Sequence, residues 1–304
     1  FTGNEDMDNQ KKADTALVLI TFFWGLANVV AEFAMRSISP SQLNALRFSL
    51  AFVVAAIVLH KHLRKINAVT LRSAVILGAM LAIIYYFAMN GIKYSRSITT
   101  FSFIIALPVV ITPLINYFFR KIVPEKKFFA SLLLALAGLY MMTLATGDLM
   151  MGKGELLALF VAVIYAFDIC YTEVCVSKPD VNITQMGILQ IGFAALFLTI
   201  FAFITERNAR IYMDVKIVGY ILFLGIFSTA LPFIVQPIAQ QYTSSDHVGV
   251  IFTLEPVFSA LAAIVLLGEV VSWREYLGGI LMIIAVVLMN VDFSKRGEAA
   301  EDKS

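Results

Sequence analysis

The chain is divided into apolar blocks of about 20 residues, and this pattern restricts its fold more than any other feature of the sequence. About 20 residues is the length that crosses a bilayer as an α-helix. In hydrocarbon every backbone N–H and C=O group needs an internal partner, so spanning segments are helices or closed barrels. Barrel strands alternate apolar and polar residues, whereas these blocks are apolar on all sides. The sequence therefore predicts an all-α integral membrane protein.

The composition excludes a single soluble domain. Of 304 residues, 60% are hydrophobic and 14% are charged, with a mean hydropathy of +0.85. Soluble domains have about 45–50% apolar and about 25% charged residues. The net charge of +2 is small and the basic residues lie between the blocks, so no nucleic-acid partner is expected. Cys170 and Cys175 share one apolar block, which predicts neither a disulfide framework nor a metal site, and no cofactor is expected.

We expect ten transmembrane helices with short connections. Two helix starts resemble capping boxes, namely Asn182 with Gln185 and Ser272 with Glu275. The expected spans are 14–35, 41–60, 70–92, 97–119, 126–146, 153–176, 182–205, 214–238, 244–267 and 272–291.

The distribution of Lys and Arg predicts the orientation. These residues are more frequent in the connections on the N-terminal side of the membrane, and most of the bias comes from the first half. The positive-inside rule then predicts that both termini are cytoplasmic, in the cell inner (cytoplasmic) membrane. We expect residues 1–13 to form an N-terminal tail, partly of vector origin, and residues 292–304 to form a cytoplasmic C-terminal tail.

The two halves of the chain resemble each other. The shift that places Pro108 on Pro256 also places Tyr94 on Tyr242 and aligns the fourth and fifth spans with the ninth and tenth. A repeat of five spans is odd, so the second copy enters the membrane from the opposite side. Inverted repeats of this kind are a transporter architecture with the site near the midplane. We expect the repeats at 14–146 and 153–291.

Short motifs accompany this repeat. The most specific is Leu-Glu-Pro, followed about a dozen residues later by Gly-Glu. The motifs are Phe23-Trp24-Gly25, Arg47-Phe48, Pro108, Leu254-Glu255-Pro256 and Gly268-Glu269.

In this order and spacing, over about residues 14–291, the motifs resemble the EamA branch of the drug/metabolite transporter superfamily. The resemblance implies ten helices, inverted repeats, a central cavity and movement of small metabolites by alternating access, often as export. The first repeat departs from the pattern, with Leu107 and Lys121 where the second has Glu255 and Glu269. We therefore expect that only the second repeat performs whatever function Glu255 and Glu269 have.

Two acids within spans are candidate binding residues. Glu255 lies near the middle of its span, where an acid costs roughly 2.5–3.5 kcal/mol. It could bind a cationic group or carry a coupling proton, or it could be a structural acid at the repeat interface. Asp168 lies one helical turn from Tyr165 and Tyr171, either lining a cavity or buried against a neighbouring span. Asp168 is the better candidate for substrate or proton specificity.

Other polar residues share faces with these acids. Trp24 and Asn28 lie one turn apart on the first span, and Glu32 continues that face outward. Glu32 could pair with Arg47 and close the outside, or form an ordinary structural ion pair with it. Glu173 is expected to be solvated at the cytoplasmic end.

Two further pairs are Tyr86 with Asn90 and Gln236 with Gln240, each one turn apart. For both pairs, cavity lining and hydrogen bonding between helices are equally open. Tyr85, next to Tyr86, belongs to the same polar group of the third span.

These residues lead to a functional hypothesis of a secondary transporter of small metabolites, with amino acids or related compounds favoured and export as the favoured direction. The partners would be a small-molecule substrate, the lipid bilayer and protons, and the assembly a monomer or weak homodimer. No catalytic residue or metal ligand is expected. A rocking motion about Pro108 and Pro256 would alternate access. The expected cavity residues are Trp24, Asn28, Tyr86, Tyr165, Asp168, Gln236 and Glu255.

Three alternatives remain open at this point. A nucleotide-sugar or lipid-related carrier is the nearest, although more Lys and Arg would be expected within its spans. A membrane-embedded enzyme on lipid-linked substrates would need clustered acids or histidines at one membrane face. A channel or receptor-like protein would lack saturable counterflow.

Overall fold

The computed structural model describes residues 2–94, 104–143, 152–206, 213–268 and 272–290. These residues form helices and turns, and no strand occurs among them. Seven of the described helices are long and apolar enough to cross a membrane. The prediction of an all-α, multi-pass membrane protein is therefore confirmed.

The helices follow the apolar blocks closely. Helix α1 begins at Thr2, so residues expected to form a tail are helical. The described residues do not include Glu269 or the expected C-terminal tail, residues 292–304. The helices are α1 (Thr2–Met35), α2 (Pro40–Val58), α3 (Ala68–Tyr94), α4 (Pro108–Ile115, continued by a π turn at Asn116–Arg120), α5 (Lys126–Thr143), α6 (Lys153–Val176), α7 (Ile183–Thr205), α8 (Val215–Ala239), α9 (Ser245–Leu267) and α10 (Trp273–Asn290).

Helices α4, α5 and α10 are not among the seven candidates, and each adjoins residues outside the described ranges. The expected count of ten spans therefore stays a prediction.

The two expected capping boxes differ in outcome. At α10, Ser272 N donates to Glu275 Oε2 over 2.6 Å and Glu275 N donates to Ser272 Oγ over 3.4 Å, which confirms the reciprocal box. At α7, Asn182 Oδ1 accepts from Gln185 N over 3.0 Å. The Gln185 side chain does not complete that box, because its amide donates to the carbonyl groups of His62 and Arg64. Gln185 instead holds the connection between α2 and α3 against α7.

Helix packing follows an exchange symmetry between the halves. Helix α3 packs against α7 and α6, and the equivalent helix α8 packs against α2 and α1. The contact of α1 with α9 has its counterpart in the contact of α6 with α4. Exchange of the two repeats maps α2 onto α7, α4 onto α9 and α5 onto α10. These three pairs are in contact, so the symmetry axis passes between the two helices of each pair. This pattern is the one that two inverted repeats produce.

The matched prolines lie at corresponding helix breaks. Helix α4 begins at Pro108, and α9 is interrupted between Phe252 and Glu255, immediately before Pro256. In the second break, Thr253 N donates to Val250 O over 3.1 Å, a tight turn rather than an α-helical bond. Proline has no N–H group to continue a helix ladder, which accounts for both positions. Helix α9 therefore consists of two short segments that meet near the middle of the span.

Gly25 lets α1 approach α9. A Cβ atom built at this position would lie 2.5 Å from Phe258 Cβ and 2.7 Å from Ser259 N. The second contact is with backbone, so no side-chain rotation relieves it. Close approach of this kind is the usual function of small residues between membrane helices.

Gly25→Ala is expected to destabilise the protein by about 1–3 kcal/mol, the typical cost of overpacking a well-packed core. The matched control is Gly219→Ala, because a Cβ at Gly219 would have nothing within 4 Å. Thermal unfolding in detergent should show a lower midpoint for the first variant and an unchanged midpoint for the second. Equal midpoints would show that α1 and α9 are not in close contact.

Candidate functional site

A π turn in α8, Ile226–Ala230, is the point where three helices meet. Arg47 of α2 is buried there, and its Nε donates to Thr229 Oγ1 over 3.0 Å. Its Nη2 donates to Ser228 Oγ over 3.0 Å, and Trp24 Nε1 of α1 donates to Ser228 O over 3.1 Å. A π turn interrupts the regular helix ladder and is frequent at functional sites. Here it supplies the acceptors for a buried cation and a buried indole.

The charge of Arg47 is balanced by aromatic rings rather than by an acid. Its guanidinium carbon lies 5.0 Å from the ring centre of Tyr85 and 5.6 Å from that of Phe48. Within the described ranges Arg47 forms no ion pair with a carboxylate. The expected pair with Glu32 is wrong, because Glu32 pairs with Arg36 of the next turn at 3.2 Å. Both of those side chains are exposed at the end of α1, whereas Arg47 is buried.

An aromatic cluster adjoins this cation. The ring of Phe233 lies 5.9 Å from each of Trp24 and Phe48. The ring of Phe252 lies 4.9 Å from Trp24 and 6.2 Å from Tyr165, which it stacks against. Trp24 and Tyr165, both expected cavity residues, are therefore brought together across the two repeats by Phe252.

The two central acids differ in their partners. Glu255 is half-buried and accepts a 2.9 Å hydrogen bond from Asn28 Nδ2, which joins α1 to α9. Asp168 is 3% exposed, and its Oδ1 has no hydrogen-bond partner among the described residues. Tyr165 lies one turn from Asp168 on α6, and its ring stacks 6.2 Å from that of Phe252, one turn before Glu255. The structure thus brings Asn28, Tyr165, Asp168 and Glu255 to one region.

Gln236 and Gln240 connect α8 to the helix that carries Asp168. Gln236 Nε2 donates to Gln240 Oε1 over 3.3 Å, and Gln240 Nε2 donates to the carbonyl of Ile169 over 3.1 Å. Of the two roles considered for this pair, cavity lining and hydrogen bonding between helices, Gln240 has the second. Gln236 Oε1 is nevertheless buried without a partner in the described structure, so a second free acceptor lies in this part of the bundle.

Tyr86 lies apart from this group. Its ring is 4.9 Å from Phe201 of α7, and its carbonyl accepts from Asn90 one turn later on the same helix. Tyr85 instead lies beside Arg47, and its ring centre is 6.1 Å from that of Phe233. Adjacent residues of a helix point about 100° apart. The Tyr85-Tyr86 pair carries no sequence signal that decides which of the two faces the centre.

A polar cavity of about 420 Å³ opens from the end of the bundle that holds the start of α9. Its lining includes Glu173, Gln240, Thr243 and His247, with Lys127 of α5. Gln240 therefore belongs both to this cavity and to the hydrogen-bonded chain that ends beside Asp168. Polar groups connect the open end of the bundle to the central acids.

An ion-pair network that sequence reasoning missed lies at the same end of the bundle. Glu173 Oε1 lies 2.9 Å from Arg120 Nη1, and its Oε2 accepts from Ser245 N over 2.9 Å. Asn116 Nδ2 donates to Ser245 Oγ and to Asp246 Oδ1, each over 2.8 Å. The expectation that Glu173 is solvated is wrong, because its side chain is only 16% exposed. The network joins α4, α6 and α9.

No group of three or more potential metal-ligating side chains occurs in the part of the chain that the structure describes. The central region combines several kinds of side-chain group. It presents one buried cation, two acids, free amide and carboxylate oxygens, and aromatic faces.

Comparison with known proteins gives consistent results. An Archaeoglobus fulgidus protein named "Uncharacterized transporter" is 26% identical over 92% of this chain and 86% of its own length. The Bacillus subtilis "Uncharacterized transporter YoaV" is 20% identical over 94% of this chain and 99% of its own. A crystal structure aligns with a TM-score of 0.75 over 92% of this chain and 96% of that chain, and its 17% identity supports the fold alone.

The model of the EamA-like transporter family matches residues 11–144 and again residues 152–291. The two matches fall on the two halves that the packing symmetry relates. Together they cover most of the sequence, and the chain belongs to the EamA-like transporter family.

Proposed function

We propose that this protein is a secondary transporter that exports amino acids or closely related compounds across the cytoplasmic membrane by alternating access. The observation that carries the proposal is the buried, unpartnered Oδ1 of Asp168. Leaving a buried acceptor unpaired costs about 1–3 kcal/mol, and more for a charged group. A substrate ammonium group would supply the missing donors to Asp168, and the free Oε1 of Gln236 lies on the same polar path.

Arg47 supports a binding site for the carboxylate group of a zwitterionic substrate. Its positive charge has hydroxyl, carbonyl and aromatic partners but no acid in the described structure. Tyr85 packs against this guanidinium, and ring contacts through Phe233, Trp24 and Phe252 connect it to Tyr165, one turn from Asp168. The cation and the acid therefore adjoin one aromatic cluster. A substrate carboxylate facing Arg47 and an ammonium facing Asp168 would be bound in complementary fashion. The rings of Trp24, Tyr165 and Phe252 would contact an apolar side chain.

The polar cavity at the start of α9 supports a route to this site. By the predicted topology this end faces the cytoplasm, and both chain termini lie on that side. The network of Glu173, Arg120 and Ser245 lies at the same end and joins the two repeats. Alternating access would require this network to form in one state and to separate in the other, with α4 and α9 moving at their proline breaks.

Asp168→Asn is expected to weaken amino-acid binding by about 10- to 100-fold, the usual value of a hydrogen bond to a charged group. Thermal shift of the purified protein against a metabolite panel measures this, because a ligand that binds the folded state raises the unfolding midpoint. Without ligand, the variant should unfold at the same or a higher temperature, since a neutral amide replaces a buried ionisable group whose Oδ1 has no partner in the described structure. Asp8→Asn is the control, because Asp8 is 62% exposed in its pair with Lys12.

Three outcomes would count against the site. Unchanged amino-acid binding by Asp168→Asn would place the substrate elsewhere in the bundle. Stabilisation only by nucleotide sugars, or only by lipids, would favour the corresponding carrier. A zwitterion site also predicts that the amide and the deaminated analogue of the best amino acid both bind weakly, so tight binding of either contradicts the assigned contacts.

Pro256→Ala and Pro108→Ala are expected to slow transport while leaving substrate affinity nearly unchanged, because alanine lets the helix ladder continue across the break. Counterflow in proteoliposomes gives the turnover, and thermal shift gives the affinity. Pro124→Ala, in the connection between α4 and α5, is the matched control. Full counterflow activity in both hinge variants would remove the prolines from the mechanism.

A further inference from the structure

A groove of about 540 Å³ lies between the start of α3 and the end of α6. It is separate from the polar cavity and shares no lining residue with it. The groove is lined from two sides. Helix α3 supplies the apolar residues Ala68, Val69 and Ile76 together with Arg72 and Ser73, and the end of α6 with the turn after it supplies Tyr171 and Lys178.

Two cations line this groove, Arg72 on α3 and Lys178 in the turn after α6. Lys178 Nζ lies 5.8 Å from the ring centre of Tyr171, which lines the same groove. Within the described ranges neither Arg72 nor Lys178 forms an ion pair with a carboxylate. Two cations that line one groove and have no carboxylate partner in the described structure form a site for an anion.

The N-terminus of helix α3 also favours binding of an anion in this groove. Its first residues, Ala68 and Val69, line the groove, and the first N–H groups of a helix have no partner within the helix. Asn67 fixes this helix start, because its Oδ1 accepts from Thr70 N and its Nδ2 donates to Asp180 O, each over 2.7 Å. The second bond also ties the turn that carries Lys178 to α3. The two cations are thus held on a shared framework.

The surroundings of the groove identify the source of the anion. Val69, which lines the groove, and the nearby Leu71 are each 40% exposed, as surfaces in contact with acyl chains are. By the predicted topology this end lies at the cytoplasmic leaflet, where anionic lipids attract juxtamembrane Lys and Arg. A soluble anion would contact the two cations but would make no apolar contact with Ala68, Val69 and Ile76.

We propose that this groove binds one anionic phospholipid, with its phosphate between Arg72 and Lys178 and its acyl chains against Val69 and Ile76. The groove lies between α3 of the first repeat and α6 of the second. A lipid bound there bridges the two repeats at a point remote from Asp168. Its occupancy then stabilises the packing of α3 on α6.

The test measures lipid binding by native mass spectrometry and by thermal shift of the detergent-purified protein. The probes are dioleoyl phosphatidylglycerol and, as the neutral comparison, dioleoyl phosphatidylcholine at equal mole fraction. Wild type is expected to retain phosphatidylglycerol and to unfold at a higher temperature with it than with phosphatidylcholine. Arg72→Gln with Lys178→Gln is expected to bind phosphatidylglycerol about thirtyfold more weakly, from about fivefold for each lost charge.

The matched control is Lys61→Gln with Arg64→Gln, which removes two charges from the neighbouring connection and leaves the groove intact. This variant is expected to behave as wild type. Equal loss in both double variants would show only a general charge effect and would overturn the site. Inorganic phosphate that stabilises wild type as well as phosphatidylglycerol does would assign the groove to a soluble anion. If the first double variant fails to fold, Lys178→Gln alone provides the same comparison with Lys61→Gln.

Discussion

The buried guanidinium of Arg47 determines how the two repeats can meet. A charge removed from water needs partners for its donors, and the cost of leaving it without them is several kcal/mol. The partners are the hydroxyl groups of Ser228 and Thr229 in the π turn of α8, which belongs to the other repeat. Trp24 donates to the same turn, so α1 and α2 are both fixed to α8. A rotation of α8 about its axis would leave a cation and an indole unpaired at once.

The helices of the two repeats are arranged symmetrically, but their charged residues are not. Helix packing exchanges the repeats, and the prolines and helix breaks correspond. The acids at the centre and in the ion-pair network, Asp168, Glu255 and Glu173, all come from the second repeat, whereas Arg47 and Arg120 come from the first. Attraction between the repeats therefore acts where Arg120 pairs with Glu173. A symmetric frame with complementary charges on its halves can also bind a zwitterion in one orientation.

Sequence reasoning succeeds where the physics is local. Apolar blocks predict the spans because the bilayer thickness sets helix length, and the Ser272–Glu275 box predicts a helix start because both hydrogen bonds lie within one turn. The sequence gives less information about which side chains contact each other between distant helices. Arg47 could pair with Glu32 by depth alone, but the π turn that binds it has no signature in sequence. The choice of Tyr85 over Tyr86 depends on the rotation of α3, which packing sets.

Helix α6 carries two acids whose different surroundings indicate different roles. Glu173 has an arginine and a backbone N–H group as partners, contributed by α4 and α9. Such an acid stabilises one packing of the helices and loses its partners when they separate. Asp168, more than one turn away, has an oxygen without a hydrogen-bond partner among the described residues. A permanent protein donor there would stabilise the fold, but in the proposed mechanism a substrate would have to displace it, at the expense of affinity. An acceptor without a protein partner is costly to the fold and would be useful to a carrier, because the proposed substrate would supply the hydrogen bond.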